Sequence, residues 1–260
     1  MKLIRYDAPD DRSVTVSGDS VTKTGPVSAV NLEVLKTREA CRVARECGLF
    51  LAPEVVMHDS VAGVVGFRRV CSVEPVGYLD RNAGAVADLP ERLGAALAAI
   101  HRGMRLPEEE RRPLPADYGC SGAPEVVIHG DFTGRNVLIR ASDGALLIVD
   151  WMTSYRLGEM CTVGPAWFDL AWFVRWQFLR LGLRGVPSAA GEACTRLVRA
   201  YLIGHPFAGV REFGAYLQLI ARADRRRRDV CFSLRRRMAA LRGDVALLSY
   251  AGALARGRHG

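Results

Sequence analysis

The sequence predicts an α+β chain built as two lobes, a small β-rich lobe with one main helix and a larger lobe that is mostly helical. Three observations carry that prediction. Alternating β-branched segments gather before residue 76, apolar stripes at helical spacing dominate after Pro165, and the charge balance changes along the chain. Residues 1–100 hold 12 basic and 13 acidic side chains, a net −1, whereas residues 101–260 hold 24 and 15, a net +9, together giving the +8 of the whole. The expected division is residues 1–70 for the first lobe and 71–260 for the second, with a hinge about residues 67–76.

Taken in order, "RSVTVSG" and "SVTKTG" alternate around the turn residues "SGDS", which is a hairpin pattern. "SAVNLEVLKTREACRVAREC" repeats apolar residues at helical intervals, Leu32, Leu35, Ala40 and Val43 among them, and stops at Gly48. "PEVVMHD" and "AGVVGFRRV" read as a second pair of strands, and "LPERLGAALAAIHRGM" as a strong helix. Residues 105–125 form a connection rich in proline and charge. "EVVIHGD" and "ALLIVDW" are strands with "NVLIR" between them, and the remainder is mostly helix with abundant arginine.

Composition sets limits on function. A chain of 260 residues that is 49% hydrophobic and 25% charged can bury a substantial core and matches soluble globular proteins. "MKLIRYDAPDDR" meets Asp7, Pro9, Asp10 and Asp11 before any apolar stretch develops, which argues against a targeting segment. Arg175 and Arg180 interrupt "DLAWFVRWQFLRLGL", so no apolar run reaches the length of a membrane span. Seven cysteines, odd in number and without a C-x-x-C pair, suggest reduced thiols and a cytoplasmic location. Only Lys2, Lys23 and Lys36 are lysines against a background of arginine. A lysine in mid-strand, Lys23, therefore invites a chemical explanation, because Arg is bulkier than a compact ammonium.

The stretch "VIHGDFTGRNVLIR" concentrates that chemistry. Asp131 and Asn136 are five residues apart on a loop leaving a strand, and Asp150 ends "LLIVD" nineteen residues after Asp131. If "NVLIR" and "LLIVD" pair through "ASDG", Asn136 and Asp150 fall at the same end of the hairpin, beside Asp131. Two carboxylates and an amide in one pocket suit a hard cation such as Mg2+, which takes oxygen ligands and keeps several waters. One carboxylate stays free to face a substrate hydroxyl.

"HGDFTGRN", "IVDW" and "GPAWFDLA" together resemble the aminoglycoside phosphotransferase family, which shares the two-lobed protein-kinase-like fold. The likeness spans roughly residues 14 to 180 and is most specific in 126–173. Kinase signatures place an Asn five residues after the catalytic-loop Asp and a metal-binding Asp after the next strand. The resemblance implies that Asp131 accepts or orients the substrate hydroxyl, and that Asn136 and Asp150 hold Mg2+ against the nucleotide phosphates. It implies that Lys23 reaches the α- and β-phosphates with Glu39 as its ion-pair partner, Glu33 being the weaker candidate. The backbone from Phe67 to Cys71, with Arg68, Arg69 and Val70 at its centre, would hydrogen-bond the base. His129 and Asp169 would brace the catalytic loop, and His101 in "LAAIHRG" also matches the family's pattern. The hairpin before Lys23 lacks the G-x-G-x-x-G of protein kinases, which argues against a protein kinase more than against catalysis.

Other features read more plainly. Trp167, Trp172 and Trp176, near Phe168 and Phe173, fit core packing better than a ligand-stacking platform. The arginine runs at Arg225–Arg228 and Arg235–Arg237 fit solvated helix faces, and no aromatic-rich strand accompanies them to support a nucleic-acid surface. Between Trp151 and Gly214 the only carboxylates are Glu159, Asp169, Glu192 and Glu212, few for a polycationic acceptor. The reading is a phosphotransferase dependent on Mg2+ and on ATP or GTP as donor. Its acceptor is a hydroxyl on a neutral or anionic small molecule, such as an antibiotic, a nucleoside or a sugar-containing natural product. An aminoglycoside acceptor is the nearest alternative. A catalytically silent nucleotide-binding scaffold is the other, and the set of Lys23, Glu39, Asp131, Asn136 and Asp150 disfavours it.

Overall fold

A computed structural model describes residues 6–7, 12–79, 88–119, 122–153, 157, 160–179, 187–205, 209–231 and 234–257. Within them, the side chains of 6–7, 187–188, 227–231, 234–240 and 242 are not described. The first lobe is a five-stranded antiparallel sheet and one long helix. Strands β1 (Tyr6–Asp7), β2 (Ser13–Ser17) and β3 (Ser20–Thr24) form a meander, and β4 (Val55–Asp59) and β5 (Val64–Arg68) complete the order β1-β2-β3-β5-β4. The β2–β3 hairpin turns on Gly18 and Asp19, with Gly18 at φ 51° supplying the left-handed residue that so short a turn needs. Its register sets Lys23 between Val14 and Val65, in the middle of the sheet.

Helix α1 (Val27–Cys47) follows β3 and ends at Gly48, whose φ of 67° gives the left-handed cap. Val30 and Val34 from α1 pack against Val65 and Phe67 from β5, with Val21 and Val55 at the edge. Burial of that size stabilises by about 1.5–3 kcal/mol per fully buried side chain, which fixes the helix over the sheet and so fixes which of its residues face Lys23.

The second lobe carries the main core. Helices α2 (Leu89–Gly103), α3 (Phe168–Leu179), α4 (Pro187–Gly204), α5 (Val210–Cys231) and α6 (Leu234–Ala255) pack α2 on α4 and α5 on α6. Phe132, Trp151, Phe168, Trp172 and Phe173 are almost wholly buried at their centre. Two small sheets lie between these helices and the first lobe. One is β6 (Val73–Pro75), β8 (Val137–Arg140) and β9 (Leu146–Ile148); the other pairs β7 (Glu125–Val127) with β10 (Val163–Pro165). The first lobe is tied down where the Leu51 amide donates to the Leu146 carbonyl (2.7 Å) and the Ile148 amide to the Leu51 carbonyl (2.9 Å).

The architecture is the α+β, two-lobed, protein-kinase-like arrangement, with a β-rich first lobe and a mostly helical second one. Among the described residues no helix is long and apolar enough to cross a membrane. Of the arginine runs, Arg225 and Arg226 are exposed, while the side chains of Arg227, Arg228, Arg235, Arg236 and Arg237 lie outside the described residues. Glu159 lies outside them too.

Candidate active site

The site begins with a buried aspartate. Asp169, at the start of α3, is fully excluded from solvent and accepts three hydrogen bonds, from the His129 amide (2.6 Å), the Gly130 amide (2.9 Å) and His101 Nε2 (3.0 Å). Burial pushes its carboxyl up, but the His101 bond and charge and the other donors outweigh that and hold it below the usual carboxylate range. The carboxylate thereby pins the two residues that precede Asp131. Gly130 sits at φ 88°, and a Cβ there would lie 3.0 Å from Thr153 Cα, so this turn admits only glycine comfortably. His101 in turn meets the Tyr201 hydroxyl through Nδ1 (2.8 Å) and is buried away from the cleft.

His129 fixes the loop from its other side. Its Nδ1 accepts the Asp131 amide proton (3.2 Å), so Nε2 carries the proton and donates to the Val149 carbonyl (3.1 Å). Both bonds together require a neutral imidazole. Burial lowers its pKa to about 4, with Lys36 adding to the effect and Asp169 opposing it. Beneath the loop, Lys36 of α1 is 1% exposed and donates to the His129 carbonyl (2.8 Å). Burial lowers this lysine to about 8, opposed by Asp169 and Glu33.

The Asp131 carboxylate is held at both oxygens. Asn136 Nδ2 donates to Oδ2 (3.1 Å) and to the Asp131 carbonyl (2.9 Å), and Trp172 Nε1 donates to Oδ1 (3.1 Å). The β8–β9 hairpin closes as its sequence suggests, with Val137 opposite Ile148, and the Val149 amide donates to the Asn136 carbonyl (2.9 Å). Asp150 follows directly at φ 63°, a left-handed conformation uncommon for a side chain other than glycine. Asp131, Asn136 and Asp150 are thus linked, and Lys23 joins them from β3 through Asp150.

Lys23 Nζ lies 2.6 Å from Asp150 Oδ1 and 2.5 Å from Glu33 Oε1. Burial pushes Lys23 down, yet Asp150 and Glu33 together outweigh it and hold the ammonium above its ordinary value. Asp150, its side chain 42% exposed, is held below the carboxylate range because Lys23 overcomes the cost of desolvation. Glu33, 1% exposed, goes the other way: burial raises it further than Lys23 lowers it.

Glu39, expected as the partner of Lys23, is not near it. Its carboxylate binds Arg42 (2.6 Å) and the Arg105 amide (2.9 Å). Six residues along a helix turn a side chain about 240° and lift it about 9 Å, so Glu33 and Glu39 cannot share one target. Glu33, Lys36 and Ala40 are buried on α1, and Glu33 is the one that meets Lys23. At the expected hinge, the Arg68 and Arg69 amides donate to the Glu54 and Asp19 carbonyls (both 2.8 Å), while among the described residues the Val70 amide has no partner.

Trp172 and Lys36 are the residues that the sequence reading passed over. Trp172 is core, as its spacing suggested, but it also presents an N–H to Asp131. Its only sequence signal was the polar handle every buried tryptophan must satisfy. Nearby, Trp176 stacks on Tyr78 (4.8 Å, 9° between planes), and Gly134 lies so close to them that a Cβ would sit 2.1 Å from the Gly77 carbonyl oxygen. Among the described residues no cluster of three or more His, Cys, Asp or Glu suited to a metal occurs. Asp150 and Asn136 offer two hard oxygen donors, a set that fits a magnesium ion completed by phosphates and water.

The family model described as the phosphotransferase enzyme family matches residues 106–193. A comparison with curated proteins finds no match. Among solved structures, the chain is similar to a choline/ethanolamine kinase family protein from Mesorhizobium loti, with TM-score 0.60 and 18% identity, covering 99% of this chain and 93% of that one. It is similar to an amicoumacin kinase in complex with AMP-PNP, Ca2+ and Ami, with TM-score 0.60 and 12% identity over 98% and 88% of the two chains. It is also similar to aminoglycoside 2'-phosphotransferase-IIIa in complex with GDP, with TM-score 0.52 and 13% identity over 97% and 93%. The segment holding Asp131, Asn136, Asp150 and Asp169 is thus the part of the chain that matches the phosphotransferase enzyme family model, and it is set in a protein-kinase-like fold.

Proposed function

We propose that the protein transfers the γ-phosphoryl group of a nucleoside triphosphate to a hydroxyl of a small molecule. The observation that carries this is the chain of contacts that links Lys23 to Asp150, Asp150 through the β8–β9 hairpin to Asn136, and Asn136 to Asp131. Phosphoryl transfer goes through a loose transition state, so positioning and charge do most of the catalysis. Asp131 receives the acceptor hydroxyl and aims its oxygen at the γ-phosphorus. Lys23, held between Asp150 and Glu33, meets the phosphates with its charge. Asp150 and the Asn136 amide oxygen would hold Mg2+, which neutralises charge developing on the phosphates. Val70, whose amide has no partner among the described residues, is the hinge residue that would meet the base. The division into lobes at residues 1–70 and 71–260, hinged about 67–76, belongs to this proposal.

The acceptor we favour is neutral or anionic. Asp169 is committed to the loop, and among the described residues between Trp151 and Gly214 the other carboxylates are Glu192 on α4 and Glu212 on α5, few for a polycation. The nearest alternative is an aminoglycoside. ATP and GTP are both candidates for the donor, since similar folds hold AMP-PNP in one case and GDP in another. Incubation with each triphosphate and a panel of nucleosides, sugar-containing natural products and aminoglycosides, read by mass spectrometry, tests the proposal. A phosphorylated neutral acceptor supports it. Transfer confined to polycations selects the alternative, and no transfer to any acceptor removes the function.

A further inference from the structure

The candidate catalytic carboxylate stands at the end of a buried chain of groups. Trp172 is 2% exposed and donates its indole N–H to Asp131 Oδ1 (3.1 Å). One turn on along α3, Arg175 lays its guanidinium over the Trp172 ring, with Cζ 4.7 Å from the centroid. Arg175 is 1% exposed, and its charge is matched by an ion pair with Asp224 of α5, also 1% exposed. Asp224 belongs to the run "RADRRRR", so an apparent solvated face sends one carboxylate inward. A buried ion pair is an uncertain source of stability and can often be replaced by apolar residues of similar volume. Its position behind the indole calls for another explanation.

We propose that Trp172 is the positioning residue of Asp131, and that the Arg175–Asp224 pair sets the strength of the indole donor. This rests on the phosphotransferase reading above. With Trp172 on Oδ1 and Asn136 on Oδ2, the carboxylate cannot rotate without losing both bonds, so its orientation is fixed. A cation over the π face draws density from the ring and makes the N–H a better donor. Asp224 holds the guanidinium in that place, so α5 acts on the reacting group through two intermediaries.

Trp172→Phe keeps an aromatic side chain and removes the donor. We expect kcat to fall roughly tenfold or more, the size of one hydrogen bond to a charged group, with acceptor KM and nucleotide affinity unchanged. Arg175→Met/Asp224→Leu keeps the tryptophan and its donor and should lower kcat severalfold, less than Trp172→Phe does, because the pair acts only through the indole. A second readout needs no turnover. The Trp172 indole proton, assigned by NMR, should move upfield in Asp131→Asn and by less in the double variant. Wild-type kcat in a folded Trp172→Phe protein, or an indole resonance indifferent to Asp131→Asn, overturns the proposal. If the wild-type protein phosphorylates nothing, the parent reading fails by that result, while the NMR arm still decides whether the chain of contacts exists.

Discussion

Replacing Lys36 by methionine isolates the cost of seating an ammonium beneath the catalytic loop. The side chain is 1% exposed, and burial lowers its pKa from 10.5 to about 8. That drop corresponds to about 3 kcal/mol of differential stability. The sign follows from proton counting. Between pH 8 and 10.5 the unfolded chain binds more protons at this site than the folded one, so stability rises with pH across that window. The contribution is fully present above pH 10.5 and is lost as pH falls to about 8. Methionine carries no such term, but it leaves the His129 carbonyl without its 2.8 Å donor, a loss of about 1–3 kcal/mol. At pH 7 the two effects nearly cancel, or methionine is slightly the more stable. At pH 10.5 the loss stands alone, and the variant is the weaker protein by about 1–3 kcal/mol. Urea unfolding of both proteins at several pH values measures this, and taking the difference cancels the titrating groups that do not interact with Lys36. A stability difference that stays constant from pH 7 to 10.5 would refute the argument.

Other outcomes follow from the same geometry. Glu33→Gln should weaken nucleotide binding with little loss of stability, because Lys23 keeps Asp150 and the cost of burying the Glu33 charge is removed. Glu39→Gln should cost under about 1 kcal/mol and leave binding intact; thermal unfolding and calorimetry distinguish the two. Acidification should remove about 3 kcal/mol as His129, depressed from 6.5 to about 4, is forced to charge. That stability is present above pH 6.5 and is lost as pH falls through 4, so His129→Phe should flatten the acid limb of the stability curve. Gly134→Ala should abolish turnover by pressing a methyl onto the Gly77 carbonyl oxygen, an approach of 2.1 Å that backbone must move to relieve; turnover near that of wild type would contradict it.

The parts of the site that were legible in the sequence are those set by short chain distances. Asp131 and Asn136 share one loop, and a tight hairpin brings Asn136 beside Asp150, so spacing alone brings the three together. The partner of Lys23 was not legible in this way. Either glutamate lies a suitable number of residues after the strand, and only the phase of α1 over the sheet selects Glu33. A usable signal existed in Arg42, three residues after Glu39, which offers that carboxylate a local partner. Trp172 and Asp224 were hidden because their roles depend on long-range packing. A tryptophan among aromatics reads as core, and an aspartate among arginines reads as surface, until α3 and α5 are placed side by side. Lys36 was marked only by the rarity of lysine in this chain.

Calorimetric titration of wild type and Asp150→Ala with ATP and GTP, each with and without magnesium, probes the shared cleft most directly. The wild type should bind at least one triphosphate, with an affinity that rises when magnesium is added. Asp150→Ala should lose that rise, because the carboxylate left facing Lys23 is then Glu33 alone and the oxygen that completes the ion's ligands is gone. A variant whose nucleotide affinity still answers to magnesium as the wild type does would show that the four residues do not form one phosphoryl-transfer centre.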